Sequence, residues 1–165
     1  MANEADHEWM QEALGEAARA FEAGEVPVGA VVVFDGRVVG RGRNRKESGL
    51  DPTAHAEIIA IRQAAAELGR WRLSGCTLYA TLEPCPMCIG AMLSARIDQL
   101  VFGCRDPKAG AVRSLFELAA DSRLNHRIEV REGIGAEQAA ELLRSFFRLR
   151  RCESKMGNVE RWPSG

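Results

Sequence analysis

Apolar side chains recur at Met10, Ala13, Leu14, Ala17 and Phe21, and the pattern stops at Gly24. Steps of three and four place these residues on one face of a helix. A continuous run over residues 26–34, rich in β-branched side chains, follows. After Asp35-Gly36 a second run covers 37–43. Two strands across a two-residue Asp-Gly turn predict a β-hairpin. The next periodic stretch, 54–68, predicts a helix started by Asp51-Pro52-Thr53 and stopped by Gly69. Strands are then predicted over 77–81, 99–103 and 127–132. Helices over 86–95, 115–120 and 136–151 alternate with them, the last expected to bury Leu142, Leu143, Phe146 and Phe147.

A hairpin followed by alternating elements predicts an α/β fold, a mixed five-stranded sheet with helices on both faces in three α/β/α layers. Strand order does not follow from these patterns. No repeat, low-complexity tract or linker interrupts the chain, so a single domain is expected over 1–165, with Ser164 and Gly165 fraying.

Composition adds boundaries. A chain of 165 residues supports one core comfortably and two poorly. The first eight residues lack an apolar leader segment, and the longest apolar run has about half the length of a membrane span. These features predict a cytoplasmic protein without a membrane anchor. Five cysteines are an odd number, and Cys85 and Cys88 cluster in a way that suits a metal better than a disulfide framework. The net charge of −1 is unevenly spread: residues 1–25 hold seven acidic side chains against Arg19 alone. Residues 144–155 carry Arg144, Arg148, Arg150, Arg151 and Lys155 against Glu153 alone, a basic end to the chain's last helix. That end suits phosphate groups, and equally a solvated helix terminus.

The candidate chemistry lies at the starts of two predicted helices. His55 opens one, and Cys85 and Cys88, three apart, stand on one side of a turn of the other. Two thiolates and one imidazole neutralise Zn²⁺ and leave its fourth position open, as a catalytic zinc requires. Cys76 and Cys104 flank the region as rival ligands. Glu57 follows His55 by two residues, about 200° further round an ideal helix, so it stands beside the metal rather than on it. A carboxylate so placed can take a proton from water and return it to a leaving amine.

At His55-Ala56-Glu57 and Pro84-Cys85-Pro86-Met87-Cys88 the chain resembles the cytidine/deoxycytidylate deaminase superfamily. Within it the chain is most similar to the branch that acts on tRNA. The likeness runs nearly the whole length, through residues 24–31, 51–57, 78–88, 103–110, 124–127 and 145–151. The resemblance implies a cytidine-deaminase-like fold and a homodimer with one zinc ion per subunit. It implies an activity on the anticodon stem-loop that converts the wobble adenosine to inosine and releases ammonia. For substrate contacts it implies Asn44, with Val26, Ala54, Leu82 and Glu83, and then Asp106, Lys108 and His126. Arg105, Arg148, Arg150 and Arg151 are implied for the RNA backbone. Each has a plainer reading: Asn44 and Asp106-Pro107-Lys108 are ordinary turn chemistry, and His126 could cap a strand. Two departures, Arg113 in place of a small residue and Lys46, add positive charge on the proposed RNA side. Two rivals share the metal site: a deaminase of free bases or nucleosides of the guanine or cytosine type, and a non-catalytic zinc-stabilised RNA-binding module. The module would not need Glu57.

Overall fold

In the computed structural model, which describes residues 3–156, the first apolar face is helix α1 (Glu4–Glu22). Asn3 caps it through a reciprocal capping box with Asp6. Met10, Ala13, Leu14 and Ala17 are buried as the spacing predicts. The hairpin forms strands β1 (Gly29–Phe34) and β2 (Arg37–Arg43). Its two turn residues, Asp35 and Gly36, both have positive φ, which matches the right-handed twist of the flanking strands. β1 starts three residues later than predicted. Val26–Val28 instead makes a tight turn around Pro27, with the Val28 N–H donating to the Val26 carbonyl at 2.8 Å.

Helix α2 (Ala56–Leu68) begins two residues later than the periodicity suggests, because His55 has an extended backbone and serves as the N-cap. Gly69, in the left-handed region, ends it as expected. Strand β3 (Thr77–Leu82), helix α3 (Pro86–Ser94) and strand β4 (Gln99–Cys104) follow. The helix predicted over 115–120 contracts to a single 3₁₀ turn, Leu118–Ala120. Strand β5 (Glu129–Glu132) and helix α4 (Ala136–Met156) complete the described residues. Ser164 and Gly165 lie outside them.

The sheet order is β2-β1-β3-β4-β5. β1 is antiparallel to both its neighbours, and β3, β4 and β5 run parallel. Alternation along the strands separates two cores. Val32, Leu78 and Leu100 meet Ala56, Ala60, Ile89 and Met92 of α2 and α3. Val31, Tyr79 and Val101 meet Met10, Leu14 and Ala139 of α1 and α4 on the other face. This is the predicted mixed five-stranded sheet between two helical layers.

One expectation for α4 fails. Phe146 is buried and packs edge-on against Phe21 at 5.9 Å, but Phe147 is 45% exposed. Consecutive helical residues point about 100° apart, so the two rings cannot both face the core. Leu142 and Leu143 are half-buried. Across the sheet, Asp6 accepts hydrogen bonds from the Tyr79 hydroxyl (2.8 Å) and from Arg131 (2.8 and 3.0 Å), tying α1 to β3 and β5. Among the described residues, no helix is long and apolar enough to cross a membrane.

Candidate active site

The parallel strands β3 and β4 end side by side, Leu82 opposite Cys104. Such carboxyl ends are where open α/β sheets place their ligand sites. From Leu82 the chain passes through Glu83 and Pro84 to Cys85, the N-cap of α3. Pro86 occupies the first turn, where its missing N–H costs nothing, and Cys88 follows in the same turn. Neither N-cap side chain, His55 or Cys85, makes the usual capping hydrogen bond to its helix. Both turn to each other: His55 Nδ1 lies 3.6 Å from Cys85 Sγ and 3.4 Å from Cys88 Sγ. These three could hold a metal ion, and among the described residues no fourth His, Cys, Asp or Glu joins them. Cys104 faces the Thr81 carbonyl at 3.7 Å, and Cys76 is buried elsewhere, so neither flanking cysteine is a ligand candidate.

The hydrogen bond with Cys88 lowers the Cys85 thiol to about 4, against the opposing effect of burial. Cys88 is pushed up by its hydrogen bond to Cys85 and by burial. His55 is raised, chiefly by its hydrogen bond with Cys85. Glu57, in the first turn of α2, is 4% exposed, and burial pushes its carboxyl above the usual range. Its Oε1 is buried without a hydrogen-bond partner. Such an orphaned oxygen is costly and rare, which marks it as a group awaiting a partner.

The other implied residues fall in several places. Asn44, Val26 and Ala54 come together beside the start of α2. The Asn44 carboxamide donates to the Val26 carbonyl (3.4 Å) and accepts from the Lys46 N–H (3.3 Å). The Arg45 N–H donates to the Ala54 carbonyl at 3.0 Å. Asn44 therefore does fill the turn role. Leu82 is half-buried at the end of β3. Glu83 is buried, and its oxygens are turned inward to the segment after β4. Asp106 accepts from the Lys108 and Ala109 N–H groups, leaving the Lys108 side chain exposed. His126 lies apart from this group: its Nε2 is 2.7 Å from the Ile97 carbonyl, before the opposite end of β4.

Of the basic residues, Arg105 is bound twice to Glu132 at 2.9 Å, and Arg113 lies 3.7 Å from the same carboxylate. Arg148 pairs with Glu141. Arg150 bonds the Gly24 carbonyl and sits over the Phe146 ring at 5.0 Å, while Arg151 is exposed. Sequence reasoning missed Glu25, which is 3% exposed and accepts the Glu47 and Ser48 N–H groups, pinning the segment before His55. An ionisable residue abutting the apolar run at 26–34 was the available signal.

A helix-flanked mixed sheet that turns an imidazole, two thiols and a buried carboxylate toward one point is a deaminase architecture. Residues 4–151 match the profile of the MafB19-like deaminases, which sets the class. The tRNA-specific adenosine deaminase of Bacillus subtilis (strain 168) is 45% identical over 150 residues, 91% of this chain and 93% of that one. A solved structure from a study of A-to-I editing by tRNA:A34 deaminases aligns at a TM-score of 0.80 and 47% identity. That alignment covers 82% of this chain and 99% of the other. A guanine deaminase from Nitrosomonas europaea aligns at 0.74 and 27% identity, over 88% and 85% of the two chains. The chain belongs to the tRNA-specific adenosine deaminase family.

Proposed function

We propose that the protein hydrolyses the wobble adenosine of a tRNA anticodon to inosine, with His55, Cys85 and Cys88 holding zinc and Glu57 carrying the protons. The observation that carries the chemistry is the buried, unpartnered Glu57 oxygen beside a three-donor cluster. Relatives at 43–48% identity named for tRNA adenosine support the substrate.

The donor set fits zinc. At a tetrahedral angle, Zn–N of about 2.0 Å and Zn–S of about 2.3 Å separate nitrogen from sulfur by about 3.5 Å. The cluster's 3.4 and 3.6 Å separations agree with that edge length. Three protein donors rather than four are the mark of a catalytic site. Bound zinc supplies Lewis acidity, which lowers the pKa of water toward about 7. Glu57 would take one proton from the attacking water as the water oxygen bonds to C6 and pass it to the ring nitrogen next to C6. It would then move the remaining proton of the new C6 hydroxyl to the amine, so that the C6–N bond breaks, the carbonyl forms and ammonia leaves. Burial raises the Glu57 carboxyl above the usual range, which makes it a stronger proton acceptor than an exposed carboxylate.

Asn44, Val26, Ala54 and Leu82 form the wall against which the base is held, and Asp106 and Lys108 meet the neighbouring nucleotides. An anticodon loop presents its base unstacked at little cost. Arg105, Arg148 and Arg151 serve the phosphates. Arg150 serves α1 instead, and His126 serves β4. The protein works as a cytoplasmic homodimer.

Zinc-loaded protein incubated with an anticodon stem-loop, and in parallel with adenine, guanine and cytosine, tests this reading. Inosine at the wobble position is expected. Ammonia from a free base alone would replace the RNA assignment with the free-base one, which is the weaker reading at 27% against 47% sequence identity.

A further inference from the structure

Glu83 stands two residues before Cys85, is 2% exposed, and has both carboxylate oxygens filled. One accepts the Asp106 N–H (3.0 Å) and the Ser114 hydroxyl (2.5 Å). The other accepts the N–H groups of Val112 (3.0 Å), Arg113 (2.8 Å) and Ser114 (2.9 Å). A carboxylate offers about four lone-pair sites, so these five donors leave no capacity for a substrate.

Four of the five donors are backbone amides within residues 106–114, which contain no helix or strand. The Ala111 N–H also donates to the Pro84 carbonyl at 2.9 Å. Gly110 has no side chain where a Cβ would overlap the Glu83 carboxylate itself. A loop without regular structure thus gathers its amides on one anion, and Pro84 joins that anion directly to the first cysteine of the cluster. On the solvent side the loop exposes Lys108.

We propose that Glu83 is a positioning residue, which latches the 106–114 loop to the turn bearing Cys85 so that the loop's outer edge meets the nucleotide beside the reacting base. Naming RNA as the substrate rests on the proposed function above; the latch does not. Glu83 acts through the loop and never touches the base.

The test compares zinc-loaded wild type with Glu83→Gln, Gly110→Ala, their double variant and Ser114→Ala. Glutamine turns an N–H₂ group toward donors, and the added Cβ of Gly110→Ala displaces the carboxylate. Both single variants are expected to raise KM for an anticodon stem-loop about tenfold, with kcat within about threefold of wild type. Zinc stays at one ion per chain. The double variant is no worse than Glu83→Gln, because both changes break one contact, and Ser114→Ala, which removes one donor of five, has a smaller effect. Without RNA, trypsin cuts folded Glu83→Gln protein after Lys108 or Arg113 faster than wild type.

Faster cutting in the variant, combined with a wild type that leaves RNA untouched, keeps the latch and defeats the RNA reading. Unchanged KM together with unchanged cutting overturns the latch. Lost zinc or a collapsed kcat with normal KM also overturns it, and makes Glu83 a support for Cys85. If Glu83→Gln does not fold, Gly110→Ala and Ser114→Ala decide by the same two readouts.

Discussion

Asp6 accepts hydrogen bonds from Tyr79 and Arg131, and although burial opposes ionisation, those partners hold its carboxyl below the usual range. A carboxyl depressed in the folded state contributes stability that is complete above its unfolded pKa of about 3.9 and lost as pH falls through the folded value. Asp6→Asn should therefore lower stability at pH 7 by about 3 kcal/mol and flatten its decline on the acid side. Urea melts between neutral pH and pH 3 measure both; equal acid sensitivity in the variant would deny Asp6 this role. His126 offers the complementary case. Its bond to the Ile97 carbonyl predicts that His126→Ala loses about 1 kcal/mol of stability with KM for RNA unchanged. A raised KM at full stability would return His126 to the substrate. The convergence of His55, Cys85 and Cys88 was legible, since their donor chemistry is local to two short motifs. Glu83 was named as a substrate contact, but its bonds to the loop were not legible, because those partners lie 23–31 positions along the chain and leave no mark near Glu83 itself.

Helix α2 carries His55 and Glu57 at its start, so the seat of that helix on the sheet sets the site. A Cβ on Gly42 would collide with the Ala56 carbonyl, and one on Gly40 with the Ala60 carbonyl. Ala56, Ala60 and Ala64 all present small side chains to this face of the sheet. Gly42→Ala must lift the first turn of α2, whereas Gly40→Ala presses one turn further on. We expect Gly42→Ala to weaken zinc retention against a chelator more than Gly40→Ala at matched loss of melting temperature. The reverse order would mean that the cluster tolerates movement of α2. Helices and strands were readable here because their periods are strong. Their ends were less so: the start of α2 moved from Ala54 to Ala56 because His55 takes an extended backbone, which apolar spacing does not record. Strand order was beyond reach, since β1 pairs with both β2 and β3 through contacts that local pattern leaves undetermined.

For the molecule as a whole, the arginines at the basic end of α4 differ in their surroundings. Arg150 bonds the Gly24 carbonyl and covers Phe146, joining α4 to the end of α1. Arg148 and Arg151 are exposed. Replacing Arg150 by alanine should cost stability and leave the salt dependence of RNA binding intact. Replacing Arg148 and Arg151 together should weaken binding and reduce the slope of log affinity against log salt by about two. An unchanged slope would remove α4 from the RNA surface. The proposed homodimer predicts a two-chain mass by ultracentrifugation at micromolar concentration, and a monomer there would contradict it.

The most direct measurement is inosine formation at the wobble position of tRNA by zinc-loaded wild type and Glu57→Gln, with zinc content determined on the same samples. The glutamine variant should retain one zinc ion per chain and lose at least about 10²-fold in turnover. Turnover near the wild-type rate in a zinc-replete Glu57→Gln protein would contradict the assignment of Glu57 as the proton carrier.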